Sequence, residues 1–173
     1  EPGLCADGWF ESEHQVYPYG NQFAVVKIDP ATGAIAVERY LIAYDIGKAI
    51  NPMLVRGQIL GGFAQGLGGA IYEEFLYDER GEPLSVSFAD YLMPTLSETP
   101  DVEVLLTEDA PSPRNPLGIK GAGESGIAPV GAVIASAVED ALQCAGLVRQ
   151  LPLTPQRVKA MLKELQSRRV SAA

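Results

Sequence analysis

Phe23-Ala24-Val25-Val26-Lys27-Ile28-Asp29-Pro30-Ala31-Thr32-Gly33-Ala34-Ile35-Ala36-Val37-Glu38-Arg39-Tyr40-Leu41-Ile42-Ala43-Tyr44 is the stretch whose reading decides the fold. Two runs rich in β-branched and aromatic residues flank a turn that carries proline and glycine, the pattern of an antiparallel hairpin. Asp45-Ile46-Gly47-Lys48 leaves the second strand. Asn51-Pro52 then opens a helix, with Asn51 as N-cap and Pro52 at the first helical position. Antiparallel hairpins packed with helices place the chain in the α+β class.

That helix is expected from roughly Met53 to Glu74. Ile59 or Leu60, Phe63, Leu67 and Ile71 give it an apolar face, yet Gly57, Gly61, Gly62, Gly66, Gly68 and Gly69 interrupt it. An interior glycine costs about 0.5–1 kcal/mol relative to alanine, so helix stability alone does not explain six of them. Two explanations compete. Small residues permit tight helix packing, or they let a ligand approach the backbone near a helix N-terminus. Gln58 and Gln65 share one face and offer uncharged amides suited to a polar heterocycle.

Outward from this core, Phe75 to Tyr77 and Leu84 to Phe88 read as a second hairpin around Asp78–Glu82, and Val102 to Thr107 reads as a further strand. Residues 108–128 form a long connection, a length that is usually functional. Val130, Val133, Ile134, Ala137, Val138, Ala141 and Leu142 follow a helical period that Gly146 is placed to stop. Thr154-Pro155 starts a last helix with Val158, Met161, Leu162 and Leu165 inward. Its Arg157, Lys159, Lys163, Arg168 and Arg169 read as a solvated face. Residues 1–20 form an extended aromatic arm, 21–166 the main domain and 167–173 a disordered tail. The expected architecture is therefore antiparallel hairpins packed with a glycine-rich helix and two C-terminal amphipathic helices.

Composition narrows the function. Apolar residues are 47% and charged residues 20% of the 173, which is globular, and a net charge of −9 argues against nucleic-acid binding. Cys5 and Cys144 have no cysteine or histidine company, and His14 is the only histidine, so a zinc site made by this chain is not expected. No apolar run reaches the length of a membrane span, and no signal peptide is visible, so a cytoplasmic protein is expected. The sequence starts at Glu1 without a methionine and reads as part of something longer.

The loop Asn115-Pro116-Leu117-Gly118-Ile119-Lys120-Gly121-Ala122-Gly123-Glu124-Ser125-Gly126 concentrates the chemistry. Three readings are open. The loop could be a plain glycine-rich turn with Glu124 solvated at a helix start. Residues 121–126 also match GxGxxG, but that fingerprint needs a preceding strand, and Pro111, Pro113 and Pro116 stand there instead. Alternatively Glu124 is a general base on a loop whose glycines admit a substrate or cofactor.

Three stretches together resemble the molybdopterin-binding large subunit of the xanthine dehydrogenase/aldehyde oxidase family, in the style of its bacterial carbon monoxide dehydrogenase-like branch. They are residues 45–52, residues 57–68 and residues 115–124, with Asp90-Tyr91-Leu92-Met93-Pro94-Thr95 similar in style. The resemblance implies a C-terminal segment of that subunit. It implies that Glu124 is the catalytic base, taking a proton from a hydroxyl on molybdenum during hydroxylation of an aldehyde or N-heterocycle. It further implies cofactor contacts from Gly57, Gln58, Asp45, Lys120, Gly121 and Gly123, with Gln58 on the pterin and Asp45 toward the nucleotide end of a cytosine-dinucleotide form. No metal ligand comes from this chain. The implied partners are the rest of the large subunit, iron–sulfur and FAD modules, and a small-molecule substrate. The isolated chain is expected to be inactive and to self-associate through its uncovered apolar surface. The competing expectation is a non-catalytic scaffold or assembly domain of the same fold.

Overall fold

The computed structural model describes residues 3–171; Glu1, Pro2, Ala172 and Ala173 lie outside the described residues. The hairpin is formed by β1 (Tyr19–Ile28) and β2 (Ile35–Asp45), antiparallel, with one register shift between Val25 and Val26. Its turn closes through Asp29 N–H to the Ala34 carbonyl, and Gly33 takes a positive φ of 83°. A Cβ on Gly33 would also sit 2.3 Å from the Pro155 carbonyl oxygen, so the turn is pressed against the last helix.

Asn51 caps α1 (Pro52–Leu67) by accepting the Leu54 N–H at 3.1 Å. Ile59, Phe63, Leu67 and Ile71 are all buried, as their spacing requires. The helix ends earlier than expected and passes into a π-helical turn over Gly68–Tyr72. Two glycines at this junction lower the resistance to the wider turn.

β3 (Val102–Thr107) joins β2 in parallel, so the sheet is mixed and ordered β1-β2-β3. The second expected hairpin reduces to a turn and one bridge, Tyr77 to Pro83. Phe75, Tyr77, Val86 and Phe88 are exposed, so no facing layer rewards a full ladder there.

α2 (Val130–Leu142) packs on β1 and α1 through Val130, Ile134 and Val138. It stops at Gln143, which adopts the left-handed conformation at φ 53°, three residues before the glycine expected to end it. α3 (Pro155–Ser171) runs helical through residues expected to form a disordered tail. Arg157 is not solvated: it pairs with Glu74 and donates to the Pro152 carbonyl. The side chain of Arg169 lies outside the described residues. The core is the inward row Tyr40, Ile42 and Tyr44 of β2 against Ile59, Phe63 and Leu67 of α1 and the buried face of α2. Trp9 and Phe10 of the N-terminal arm are exposed rather than covering this core. No helix among the described residues is long and apolar enough to cross a membrane.

Candidate functional site

The end of β2 and the 115–126 loop are stitched together. Lys48 N–H donates to the Gly118 carbonyl at 2.9 Å, Lys120 N–H to the Ile46 carbonyl at 3.0 Å, and Gly47 and Ile119 form a bridge. Gly47 has φ 64°, and a Cβ there would lie 2.2 Å from the Gly118 oxygen, so only glycine suits this crossing. Asn115 braces the loop from within, accepting from Ile119 N–H and donating to the Ile119 carbonyl.

Beneath the crossing lies a buried ion pair. Lys120 Nζ is 2.9 Å from Asp45 Oδ1, with the two side chains 7% and 5% exposed. The same Oδ1 accepts from Gly47 N–H, and Oδ2 accepts from Ala110 N–H and Thr107 Oγ1. The hydrogen bond from Lys120 holds the Asp45 carboxyl well below the usual carboxylate range. Burial opposes this, and the Gly47 and Ala110 N–H groups add to it. The Lys120 ammonium also lies 4.1 Å from the centroid of the Tyr19 ring. Asp45 and Lys120, expected at the cofactor, therefore lie behind the loop with their polar groups turned to each other.

On the outer side the arrangement is the opposite. Gly57, Gln58, Gly121, Gly123 and Glu124 are exposed. The structure brings Gln58 to the loop: a Cβ placed on Gly123 would be 4.0 Å from Gln58 Oε1. Among the described residues, the Glu124 carboxylate and the Gln58 amide have no hydrogen-bond or ion-pair partner. The glycines of α1 separate by side. A Cβ on Gly62 or Gly66 would press on Gly126 and Ile127 or on Val130, whereas one on Gly57 or Gly61 would meet nothing within 4 Å. Packing inside this chain accounts for the first pair and leaves the second unexplained.

The GxGxxG reading loses its support, because β3 ends at Thr107 and no strand leads directly into Gly121. Three relevant residues were not picked out from the sequence: Gln22, Tyr40 and Ser125. The Tyr40 hydroxyl donates to Gln22 Oε1 at 2.6 Å, and Gln22 Nε2 donates to the Ser125 carbonyl at 2.7 Å. The available signal was a polar residue in the inward row Gln22, Ala24, Val26, Ile28 of β1. No cluster of metal-ligating side chains occurs among the described residues.

An unpartnered amide, open helix positions at Gly57 and Gly61 and an exposed carboxylate form a donor and acceptor set that fits the polar edges of a pterin. Comparison with known proteins identifies the family. A family profile described as the molybdopterin cofactor-binding domain matches residues 1–100. The 6-hydroxypseudooxynicotine dehydrogenase complex subunit gamma of Paenarthrobacter nicotinovorans is 47% identical over 158 residues, 91% of this chain and 20% of that protein. The carbon monoxide dehydrogenase large chain of Afipia carboxidovorans is 41% identical over 125 residues, 72% of this chain and 15% of that one. The crystal structure of quinoline 2-oxidoreductase from Pseudomonas putida 86 superposes with a TM-score of 0.77 at 40% identity, covering 84% of this chain and 18% of its own. The chain thus spans about a fifth of the length of the curated relatives it matches. Motif order, fold and matched residues converge, and the chain belongs to the molybdopterin cofactor-binding domain family of the molybdenum hydroxylases.

Proposed function

We propose that this chain supplies the catalytic base and one wall of the molybdopterin site in a molybdenum hydroxylase acting on an aldehyde or N-heterocycle. The observation that carries the reading is the outer surface itself. Among the described residues Glu124 has no partner; it follows Gly123, which faces Gln58, and Gly57 is open, while Asp45 and Lys120 behind the loop are paired and buried. Bound there, the cofactor would supply the two-electron redox centre that no side chain provides.

The chain's own residues have distinct tasks. Glu124 accepts a proton at its carboxylate, the role of a positioned general base. Gln58 hydrogen-bonds the pterin through its amide, and Gly57, Gly121 and Gly123 admit the cofactor close to the backbone. Asp45 and Lys120 act from behind by fixing the loop, rather than by touching the nucleotide end of a cytosine-dinucleotide form. Exposed Phe75, Val86 and Phe88 support a wider assembly in which the rest of a large subunit covers them. Iron–sulfur and FAD modules would then carry electrons away.

Glu124→Gln in the assembled full-length enzyme tests this. Dye reduction is followed with carbon monoxide, an aromatic aldehyde and quinoline as candidate substrates, and molybdenum content is measured alongside. Turnover should fall by roughly 10²–10⁴-fold with molybdenum content unchanged. Undiminished turnover would remove Glu124 as the base and favour a scaffold role.

A further inference from the structure

Glu124 is useful as a base only if its backbone stays in register with the surface formed by α1. On its N-terminal side the loop is held by Lys120. On its C-terminal side the structure shows a second hold that no motif announces. Gln22, 8% exposed, reaches from β1 and donates from Nε2 to the Ser125 carbonyl at 2.7 Å and the Gly126 carbonyl at 3.3 Å. These are the carbonyls of the two residues that follow Glu124.

The orientation of that amide is determined by chemistry. Carbonyl oxygens only accept, so the end of Gln22 that faces them must be its NH₂. The other end accepts from the Tyr40 hydroxyl at 2.6 Å. Burial, with Tyr44 nearby, raises the Tyr40 pKa above the phenol range, so the hydroxyl remains a donor at physiological pH. Tyr40 is itself fixed, 2% exposed, with its ring 4.4 Å from that of Phe63. Phe63 belongs to α1, the helix that carries Gln58. Gly126 completes the contact, since a Cβ there would lie 2.0 Å from the Ile59 carbonyl oxygen. Tyr40 and Gln22 thus refer the loop to the same helix that forms the other half of the site.

We propose that Gln22, oriented by Tyr40, is a positioning residue for Glu124, holding the 124–126 backbone in register with Gln58 on α1. The proposal rests on Glu124 being the base. A purely architectural role, the satisfaction of two buried carbonyls, would cost stability and leave turnover per molybdenum untouched.

The test uses the assembled full-length enzyme with Gln22→Leu and, as the milder change that keeps the ring, Tyr40→Phe. Two readouts are taken: amide hydrogen exchange over residues 121–128, which needs no substrate, and kcat and KM per bound molybdenum with the best substrate from the panel above. Exchange should quicken about two- to tenfold relative to wild type, the range expected for one lost buried hydrogen bond. In Gln22→Leu, kcat should fall roughly 10- to 100-fold with KM and molybdenum content unchanged. Tyr40→Phe should move both readouts in the same direction by less, and it carries the test if Gln22→Leu does not assemble. Unchanged exchange in the variants overturns the proposal, and so does faster exchange with kcat unchanged. If Glu124→Gln retains turnover, the assignment of the base fails instead, and the exchange experiment still decides whether Gln22 holds the loop.

Discussion

Asp45 and Glu124 are both carboxylates on the backbone crossing that joins β2 to the 115–126 loop, and the chain treats them in opposite ways. Asp45 is 5% exposed and takes four donors from Lys120, Gly47, Ala110 and Thr107. Glu124 is exposed, and its carboxylate has no protein partner among the described residues. The glycines of α1 repeat the contrast, with Gly62 and Gly66 pressed against neighbours and Gly57 and Gly61 facing open space. The carboxylate on the inner side is therefore fully partnered within this chain. The one on the outer side is left unpartnered among the described residues.

The contrast is easiest to break at the carboxylates. Asp45→Ala strands the Lys120 ammonium in a buried setting and should cost about 3–5 kcal/mol of unfolding free energy, read from urea titrations. Glu124→Ala should change it by no more than about 0.5 kcal/mol, since an exposed unpaired group supports little. Equal losses at the two positions would abolish the distinction.

The same pair gives a pH dependence with a definite sign. Asp45 has a folded-state pKa below its unfolded value, which is about 3.9. Its contribution is complete above that unfolded value and is lost as pH falls toward the folded one. The urea midpoint should thus drop in acid, and Asp45→Asn should flatten that limb. A limb equally steep in the variant would place the acid sensitivity elsewhere.

A smaller effect separates the glycines. Gly66→Ala drives a Cβ to 2.7 Å from the Val130 side chain and should destabilise by about 1–3 kcal/mol. Gly57→Ala meets nothing and should stabilise the helix by about 0.5–1 kcal/mol, while lowering molybdenum content in the assembled enzyme. A gain in stability with full cofactor loading would mean that no close approach occurs at Gly57.

The smallest expected change is at Ser125, whose buried hydroxyl has no partner among the described residues. Ser125→Ala should be neutral or raise stability by at most about 1 kcal/mol. A clear loss in the full-length enzyme would show that a group from outside this chain reaches the hydroxyl.

Local pattern carried the reading of the sequence where the interactions are local. The strand runs around Asp29–Ala34, the Asn51 cap and the four-residue spacing of Ile59, Phe63, Leu67 and Ile71 each depend on residues a few positions apart. The reading failed at choices among distant partners. Val102–Thr107 is a strand as its composition indicates, but its parallel place beside β2 depends on the long crossover through α1. Phe75–Phe88 has the alternation of a hairpin and forms only a bridge, and its large apolar side chains Phe75, Tyr77, Val86 and Phe88 stay exposed. Arg157 sits among basic residues that are mostly exposed, yet tertiary packing brings it to Glu74.

By itself the sequence determined the class of fold, the main helices and strands, the family, and the two stretches that carry Gln58 and Glu124. The elements rest on backbone preference and on residue types at short spacing, which need no partner to be legible, and the family rests on the resemblance of residues 45–52, 57–68 and 115–124. Tertiary structure alone decided that Asp45 and Lys120, 75 residues apart, face each other behind the loop, and that Gln22 reaches the Ser125 carbonyl across 103 residues. It also decided which glycines of α1 are filled and which are open. A polar side chain or a glycine has the same local signature in either setting, and only the packing of distant elements assigns it a partner or leaves it facing out.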